Sequence, residues 1–345
     1  MASVGKLLNI AIVGAGSIGC YLGGCLLSAG YNVTLIGRPR IQKQINTHGL
    51  TLTDWRERNE HIATENINFS LALSDIQNAD YILVTVKSGN TEEVAQAIAQ
   101  YAKTKAVVVS FQNGIRNANI LKQFLSQHQV LKGMVPFNVL SKGKAHFHCG
   151  TEGDLAIADK DNVAEPLIHA FRKSELPVDI YNDLSQLQWS KLLMNLNNSI
   201  NALSGLPLRE QLHDRYYRKI LALTIKEALQ VLKHAGIKPV KNGKVIPSLL
   251  PFILSMPDFL YKIVAGSMLK IDPDARSSMY EDLALGRPTE IDFINGEVVS
   301  LAEQCGVKSP INTAITLRVK EAESAQKGSP NISASALYSL IMINA

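Results

Sequence analysis

Short aliphatic runs alternate with helical stretches through the first half of the chain and then cease. Asn9–Val13, Asn32–Ile36, Tyr81–Val86, Ala106–Ser110 and Val130–Val135 read as strands, and segments such as Ile18–Ser28 and Thr91–Tyr101 between them as helices. Near-continuous apolar strands separated by helices predict a parallel sheet covered on both faces. A last strand signal at Pro177–Ile180 is followed, from Leu184 to Lys327, by almost wholly helical periodicity with stops at Gly205, Pro207, Gly236 and Gly306. The pattern divides the chain into an α/β domain over 1–182, a mostly α-helical domain over 183–328 and a tail over 329–345 that is small and polar, then apolar.

Length agrees with this division, since 345 residues are more than one domain ordinarily holds. Hydrophobic residues make up 46% and charged residues 19%, which excludes a disordered or fibrous chain. The net charge of +5 is too small and too dispersed for a nucleic-acid-binding face, and the short basic clusters Arg38-Pro39-Arg40 and Lys241–Lys244 read as solvated. Cys20, Cys25, Cys149 and Cys305 lack metal-ligand spacing and are too few for a stapled secreted fold, so a cytoplasmic location is expected. The N-terminus carries one lysine, Lys6, and no signal-peptide pattern is read there. Val245–Leu269 is the most apolar later stretch, but Pro247, Pro251, Pro257, Asp258 and Lys262 make broken helices the better reading than a membrane span.

The first strand runs into Gly14-Ala15-Gly16-Ser17-Ile18-Gly19 and a helix follows. A G-x-G-x-x-G alone is weak, but one that ends a buried strand and opens a helix is the fingerprint of a Rossmann-type dinucleotide site. Gly14 allows the turn, Gly16 admits a pyrophosphate, Gly19 lets helix pack on strand, and the helix N-terminus attracts phosphate. The alternative is a glycine-rich turn that binds nothing. After the second strand comes Gly37-Arg38-Pro39-Arg40, where an NAD site usually places a carboxylate. Arg38 suits a 2′-phosphate, hence NADP, unless it is an ordinary surface arginine. Lys87 and Asn113 follow later strands and are further cofactor candidates, against a surface lysine and a plain Asn-Gly turn.

Trp189 to Leu203 reads as one amphipathic helix. Leu192, Leu193, Leu196, Ile200 and Leu203 share one arc, while Lys191, Asn195 and Asn198 lie opposite. Four asparagines within seven residues are a local cost to a helix, and the polar strip they form is either a surface facing a substrate or the water-facing side of an amphipathic helix. Farther on, Arg276-Ser277-Ser278-Met279 precedes Arg287-Pro288-Thr289-Glu290-Ile291-Asp292-Phe293-Ile294-Asn295-Gly296, with Pro288 read as a helix start, Glu290 as a first-turn residue and Ser278 as a cap.

Taken in order, the Gly14–Gly19 fingerprint, Asn113-Gly114, Lys191-Leu192-Leu193-x-Asn195, Ser277-Ser278-Met279 and Thr289–Gly296 resemble the ketopantoate reductases (2-dehydropantoate 2-reductases) over about Leu8 to Ala325. The resemblance implies an NADP-binding Rossmann domain joined to a helical domain like that of 6-phosphogluconate dehydrogenase. It implies NADPH-dependent reduction of ketopantoate to pantoate in pantothenate biosynthesis. It makes Lys191 the catalytic lysine, with Asn113, Asn195, Asn198, Ser278 and Glu290 binding substrate or organising the site and Val139 near the cofactor. Two departures stand on the substrate side: Ser199 where the family usually has a second asparagine, and Ala275 where another is expected. The 237–274 segment is longer than in compact members and is read as covering the cleft or a subunit interface.

The expected partners are a 2-oxo acid and a second copy of the chain, with neither nucleic acid nor membrane. Two other readings stay open: a related NADP-dependent 2-oxo or 3-hydroxy acid dehydrogenase, and a nucleotide-binding sensor without redox chemistry. His146-Phe147-His148 puts two imidazoles on one face of a strand, which an exposed strand edge explains without a metal.

Overall fold

The computed structural model describes residues 8–241, 243, 245–266 and 274–343, so Lys6, Lys244 and part of the 237–274 segment lie outside the described residues. The chain divides into two compact units, 1–184 and 185–345.

Among the described residues twelve strands lie in the first unit: β1 Asn9–Val13, β2 Asn32–Ile36, β3 Leu50–Asp54, β4 Asn59–Ile62, β5 Asn68–Ser70, β6 Tyr81–Val84, β7 Val107–Ser110, β8 Gln129–Met134, β9 Val139–Ser141, β10 His146–Cys149, β11 Leu155–Ala158 and β12 Val178–Tyr181. Its helices are α1 Ser17–Ser28, α2 Pro39–His48, α3 Thr91–Tyr101, α4 Asn117–Phe124 and α5 Glu165–Lys173. Eight strands form one sheet in the order β12-β11-β8-β7-β6-β1-β2-β5. Its pairs are parallel except where β11 runs antiparallel to β8. The order runs one way from β1 to β2 and β5 and the other way to β6 and β7, which puts the topological switch point beside β1.

A second sheet, β4-β3-β10-β9, was not foreseen. It corrects the reading of His146–His148 as a sheet edge, because β10 is interior, paired with β3 on one side and β9 on the other. Helix α1 touches strands of both sheets. Its glycines show how closely: a Cβ on Gly23 would lie 2.4 Å from Leu35, of the large sheet, and one on Gly24 2.7 Å from Leu52, of the small sheet. Cys20, Tyr21, Leu22, Cys25 and Leu26 are all buried, as a helix covered on two sides requires.

The second unit is helical: α6 Ser185–Asn195, α7 Asn197–Ser204, α8 Leu208–His213, α9 Arg215–His234, α10 Leu250–Ser255, α11 Asp258–Val264, α12 Ser278–Ala284, α13 Asn295–Gln304, α14 Pro310–Ala325 and α15 Ala334–Ile343. The expected single helix from Trp189 to Leu203 is divided at Leu196 into α6 and α7, although Leu196 N–H still donates to Leu192 (3.0 Å). Its apolar arc is buried as foreseen, Leu192, Leu193, Leu196, Ile200 and Leu203 included. The tail belongs to this unit: Ser329 Oγ donates to Ala202, Ile332 N–H to Leu203, Tyr217 Oη to Ile332, and Leu337 and Ile341 are buried. Glu227 on α9 caps α14 from outside, accepting from the backbone N–H of Ile311 (2.9 Å) and Asn312 (2.8 Å). No helix among the described residues is long and apolar enough to cross a membrane.

Candidate active site

In the first unit the site is built where β1 ends. Gly14 N–H and Ala15 N–H donate to Ile36 at 2.9 and 2.8 Å, which folds the turn against the end of β2. Gly14 has φ +111°, and a Cβ there would lie 2.5 Å from the Val86 nitrogen; one on Gly19 would lie 2.3 Å from the Gly14 carbonyl oxygen. Gly16 differs, because its Cβ would meet nothing nearer than 3.9 Å. Its α-carbon faces open space while its neighbours face protein. Gly16 is the N-cap of α1, no side chain caps that end, and Ser17, Ile18 and Gly19 bring no carboxylate to the first turn. An uncapped helix end with a glycine open to the outside fits a phosphate-bearing dinucleotide.

The other cofactor candidates lie elsewhere in this unit. Gly37 packs so tightly on Ala15 that a Cβ would lie 2.7 Å from that of Ala15, and the exposed Arg38 follows as N-cap of α2. Lys87 follows β6, which ends at Val84 rather than the expected Val86, and Asn113 follows β7. Both therefore lie beyond the carboxyl ends of strands parallel to β1. A buried network missed in the sequence fixes these two loops. Ser88 Oγ donates to the Asn113 carbonyl (2.9 Å), Asn117 Nδ2 to Ser88 Oγ (3.0 Å), Thr91 Oγ1 to Asn117 (3.0 Å) and Gln112 Nε2 to Thr91 (2.8 Å). Single polar residues at such positions look like ordinary loop residues until the fold brings them together. Val139 lies in β9, an edge strand of the small sheet, opposite Cys149.

In the second unit α6 and α7 present the polar strip. Lys191, Asn195 and Asn198 are half-buried, on the side away from the leucines. Although part of the Lys191 side chain is exposed, its ammonium is desolvated by the protein around it, which pulls its pKa down to about 8 against the opposing pull of the Glu290 carboxylate. Glu290 is brought there by a turn, not a helix: 287–289 is irregular, Pro288 starts no helix, and Glu290 is the N-cap of a 3-10 turn over Ile291–Phe293. Helix α14 holds that turn, with Glu323 accepting from Thr289 N–H (2.7 Å) and Lys320 pairing with Asp292.

Ser278 is exposed and is the first residue of α12, while the capping role expected of it falls to Ser277, whose Oγ accepts from Tyr280 N–H (3.2 Å) and donates to the Asn198 carbonyl (3.1 Å). Asn201, unremarked beyond the asparagine count, is the buried fastener of this corner. It accepts from Ser277 N–H (2.9 Å) and donates to Leu206 (2.9 Å) and Gln211 (3.1 Å). The second unit thus brings Lys191 to Glu290 and binds the Ser277–Ser278 segment to α7. Ser199, the departure noted above, is fully buried and donates to Leu196 of its own helix (2.9 Å).

A glycine-lined helix terminus at the switch point of a parallel sheet, and in the helical unit a lysine of lowered pKa beside a carboxylate, are the features expected of a dinucleotide-dependent oxidoreductase. Models of two family domains match this chain, ketopantoate reductase PanE/ApbA over residues 10–162 and its C-terminal domain over 183–323. The chain belongs to the ketopantoate reductase family. Among its relatives, the 2-dehydropantoate 2-reductases of Archaeoglobus fulgidus and Pyrococcus horikoshii are 25% and 26% identical, over 92% and 93% of this chain and 99% and 100% of theirs. A ketopantoate reductase structure from Ralstonia eutropha superposes with a TM-score of 0.79 at 28% identity, covering 93% of this chain and all of that one. The fold is also that of a D-mandelate dehydrogenase solved with NADH and anilino(oxo)acetate, at TM-score 0.73 and 21% identity over 92% of this chain and 99% of that one.

Proposed function

We propose that this protein reduces ketopantoate to pantoate with NADPH, and that Lys191 is the general acid. The observation that carries the reading is the desolvated Lys191 beside Glu290, in a chain whose family acts on a 2-oxo acid. The reduced nicotinamide, when bound, supplies a hydride for the carbonyl carbon of the substrate. Gly14, Ala15, Gly16, Ser17, Ile18 and Gly19 would hold its pyrophosphate and Arg38 its 2′-phosphate, with Lys87, Asn113 and Val139 as further cofactor contacts.

As charge develops on the carbonyl oxygen, the Lys191 ammonium stabilises it and then transfers a proton to it, completing the alcohol. A pKa of about 8 leaves most of Lys191 protonated at neutral pH and makes it a readier acid than an ordinary lysine. Glu290 holds the ammonium in place and accepts from the substrate hydroxyl. Asn113, Asn195, Asn198 and Ser278 donate to the hydroxyl and carboxylate, fixing the carbonyl against the acid.

NADP is favoured by Arg38, since no carboxylate follows β2. Replacing Arg38 by alanine is expected to lower the NADPH-over-NADH preference by roughly ten- to a hundred-fold, the loss of one charge-assisted bond. An unchanged ratio of kcat/KM values removes the assignment. The free thiols of Cys20, Cys25, Cys149 and Cys305 support a reducing, cytoplasmic setting. A homodimer is proposed as well; the ketopantoate reductase of Staphylococcus aureus is described as dimeric.

Ser199 favours a second reading. With its hydroxyl turned into its own helix, it offers substrate no amide where the family usually has one. A 2-oxo acid with a less polar side chain is the substrate that change would suit. Oxidation of NADPH by purified protein on ketopantoate, and on 2-oxo acids with apolar branched or aromatic side chains, separates the two. Turnover on ketopantoate well above the rest supports the first reading, the reverse order supports the second, and no oxidation on any of them overturns both.

A further inference from the structure

The 245–266 stretch bears an unusual amount of apolar side chain on its outside. Leu249, Phe252, Phe259, Leu260, Ile263 and Val264 are all more than a third exposed, with Phe252 at 70%, Phe259 at 65% and Ile263 at 76%. Residues 259 and 263, like 260 and 264, are one helical turn apart on α11, so each pair projects together. Carried on α11 and on α10 and its start, which touch, the six offer roughly 600 Å² of apolar surface in all, as much as the largest patch of an ordinary monomer.

A buried arginine ties this face down from beneath. Arg218 of α9, 1% exposed, donates to the carbonyls of Leu212, His213, Leu254 and Met256 and to Asp258 (2.5 Å), and its guanidinium lies 4.2 Å from the centre of the Tyr261 ring. It thereby ties the end of α8, the end of α10 and the start of α11 to α9. Leu250, Leu254 and Tyr261 are buried on the inner side. An apolar face anchored so firmly is a surface the fold presents, not one it failed to cover.

We infer that α10 and α11 form the contact face for a second copy of this chain. The inference rests on the homodimer proposed above and adds its location. The charged residues between 245 and 266 are Asp258, which Arg218 neutralises, and Lys262. A helix that settles on anionic lipid carries several lysines or arginines on its polar side, and one lysine does not supply them. A two-fold interface must be complementary to itself, and a face that is apolar but for Lys262 and the Arg218-paired Asp258 meets its own copy with little opposing charge. Its roughly 600 Å², with a polar rim, approaches the ~800 Å² that each partner buries in an interface of standard size.

Analytical ultracentrifugation of the full chain, its Phe259→Asp and Ile263→Asp variants, and flotation with phosphatidylserine–phosphatidylcholine vesicles test this. The expected result is a dimer whose dissociation constant rises at least about 100-fold in either variant, with the melting temperature of the monomer kept and no flotation. Should the charged variants fail to fold, Ile263→Cys in a Cys305→Ser background is expected to cross-link to its copy with a short bismaleimide. A wild-type monomer at about 100 µM overturns both the face and the homodimer. A dimer that neither substitution weakens, or that does not cross-link, overturns the face alone. Flotation lost in Ile263→Asp makes lipid the occupant and also overturns the inference.

Discussion

Lys191 is placed at a cost. Desolvation draws its pKa from 10.5 to about 8, so the folded protein binds that proton less well than the unfolded chain does, and below pH 8 the buried charge works against folding. Lys191→Met is therefore expected to raise the melting temperature at pH 7 while lowering turnover about 10²- to 10⁴-fold, the usual worth of a general acid. In the wild type, kcat/KM for reduction should fall as pH rises through about 8, where the ammonium is lost, and this limb should vanish in the methionine variant. Two glycines allow a sharper comparison. Gly16→Ala adds a methyl group to open space, so melting should be unchanged and dinucleotide affinity lowered; Gly19→Ala drives a methyl group to 2.3 Å from a backbone oxygen and should destabilise the fold by about 1–3 kcal/mol in a denaturant titration. The fingerprint was legible because Gly14 and Gly19 stand where any larger residue would collide with backbone. Asn201 was not, since a buried asparagine that fastens a distant serine looks in sequence like any asparagine on a polar helix face.

At the level of elements, the large sheet could be read from its strands because each is a short apolar run; β1, β2 and α3 fall within the predicted limits residue for residue. The small sheet was hidden by its composition. One face of it carries Thr51, Thr53, His61, His146 and His148, residues that suggest loop, and its apolar content, such as Leu50, Leu52 and Phe147, is spent on the side toward α1. The break at Leu196 was equally invisible, because apolar spacing continues across it. On the polar face, Thr53 Oγ1 lies 2.8 Å from both His146 Nε2 and His148 Nδ1, joining β3 to β10. Burial and Lys142 lower the pKa of both imidazoles below 6.5. A histidine whose pKa is depressed by folding contributes stability that is complete above 6.5 and is lost as pH falls below it. The protection factors of the β3 and β10 amides, exchange rates corrected for the intrinsic effect of pH, should accordingly fall below pH 6.5, and Thr53→Val should flatten that fall; protection that does not change with pH would remove the histidines from this role.

Across the whole molecule, the tail changes from an unassigned remnant into part of the helical unit. Leu337 and Ile341 are buried, and burial of side chains of this size is worth about 1.5–3 kcal/mol each. Truncation after Gly328 should lower the thermal midpoint by several degrees or leave the protein insoluble, and a truncated chain that melts like the full one would show the packing to be incidental. Hydrophobic periodicity changes once along the chain and does not change back, and the two units divide between Leu184 and Ser185. The apolar face of α10 and α11 was seen only as hydrophobic sequence, since which side chains turn outward depends on Arg218 and on no local pattern. The position of α1, covered by a sheet on either side, also bears on how a nucleotide arrives. A helix clamped on both flanks has its end aimed in advance, so the dinucleotide capture proposed at Gly16 should need no prior rearrangement of that end, and association there should be governed by diffusion and charge.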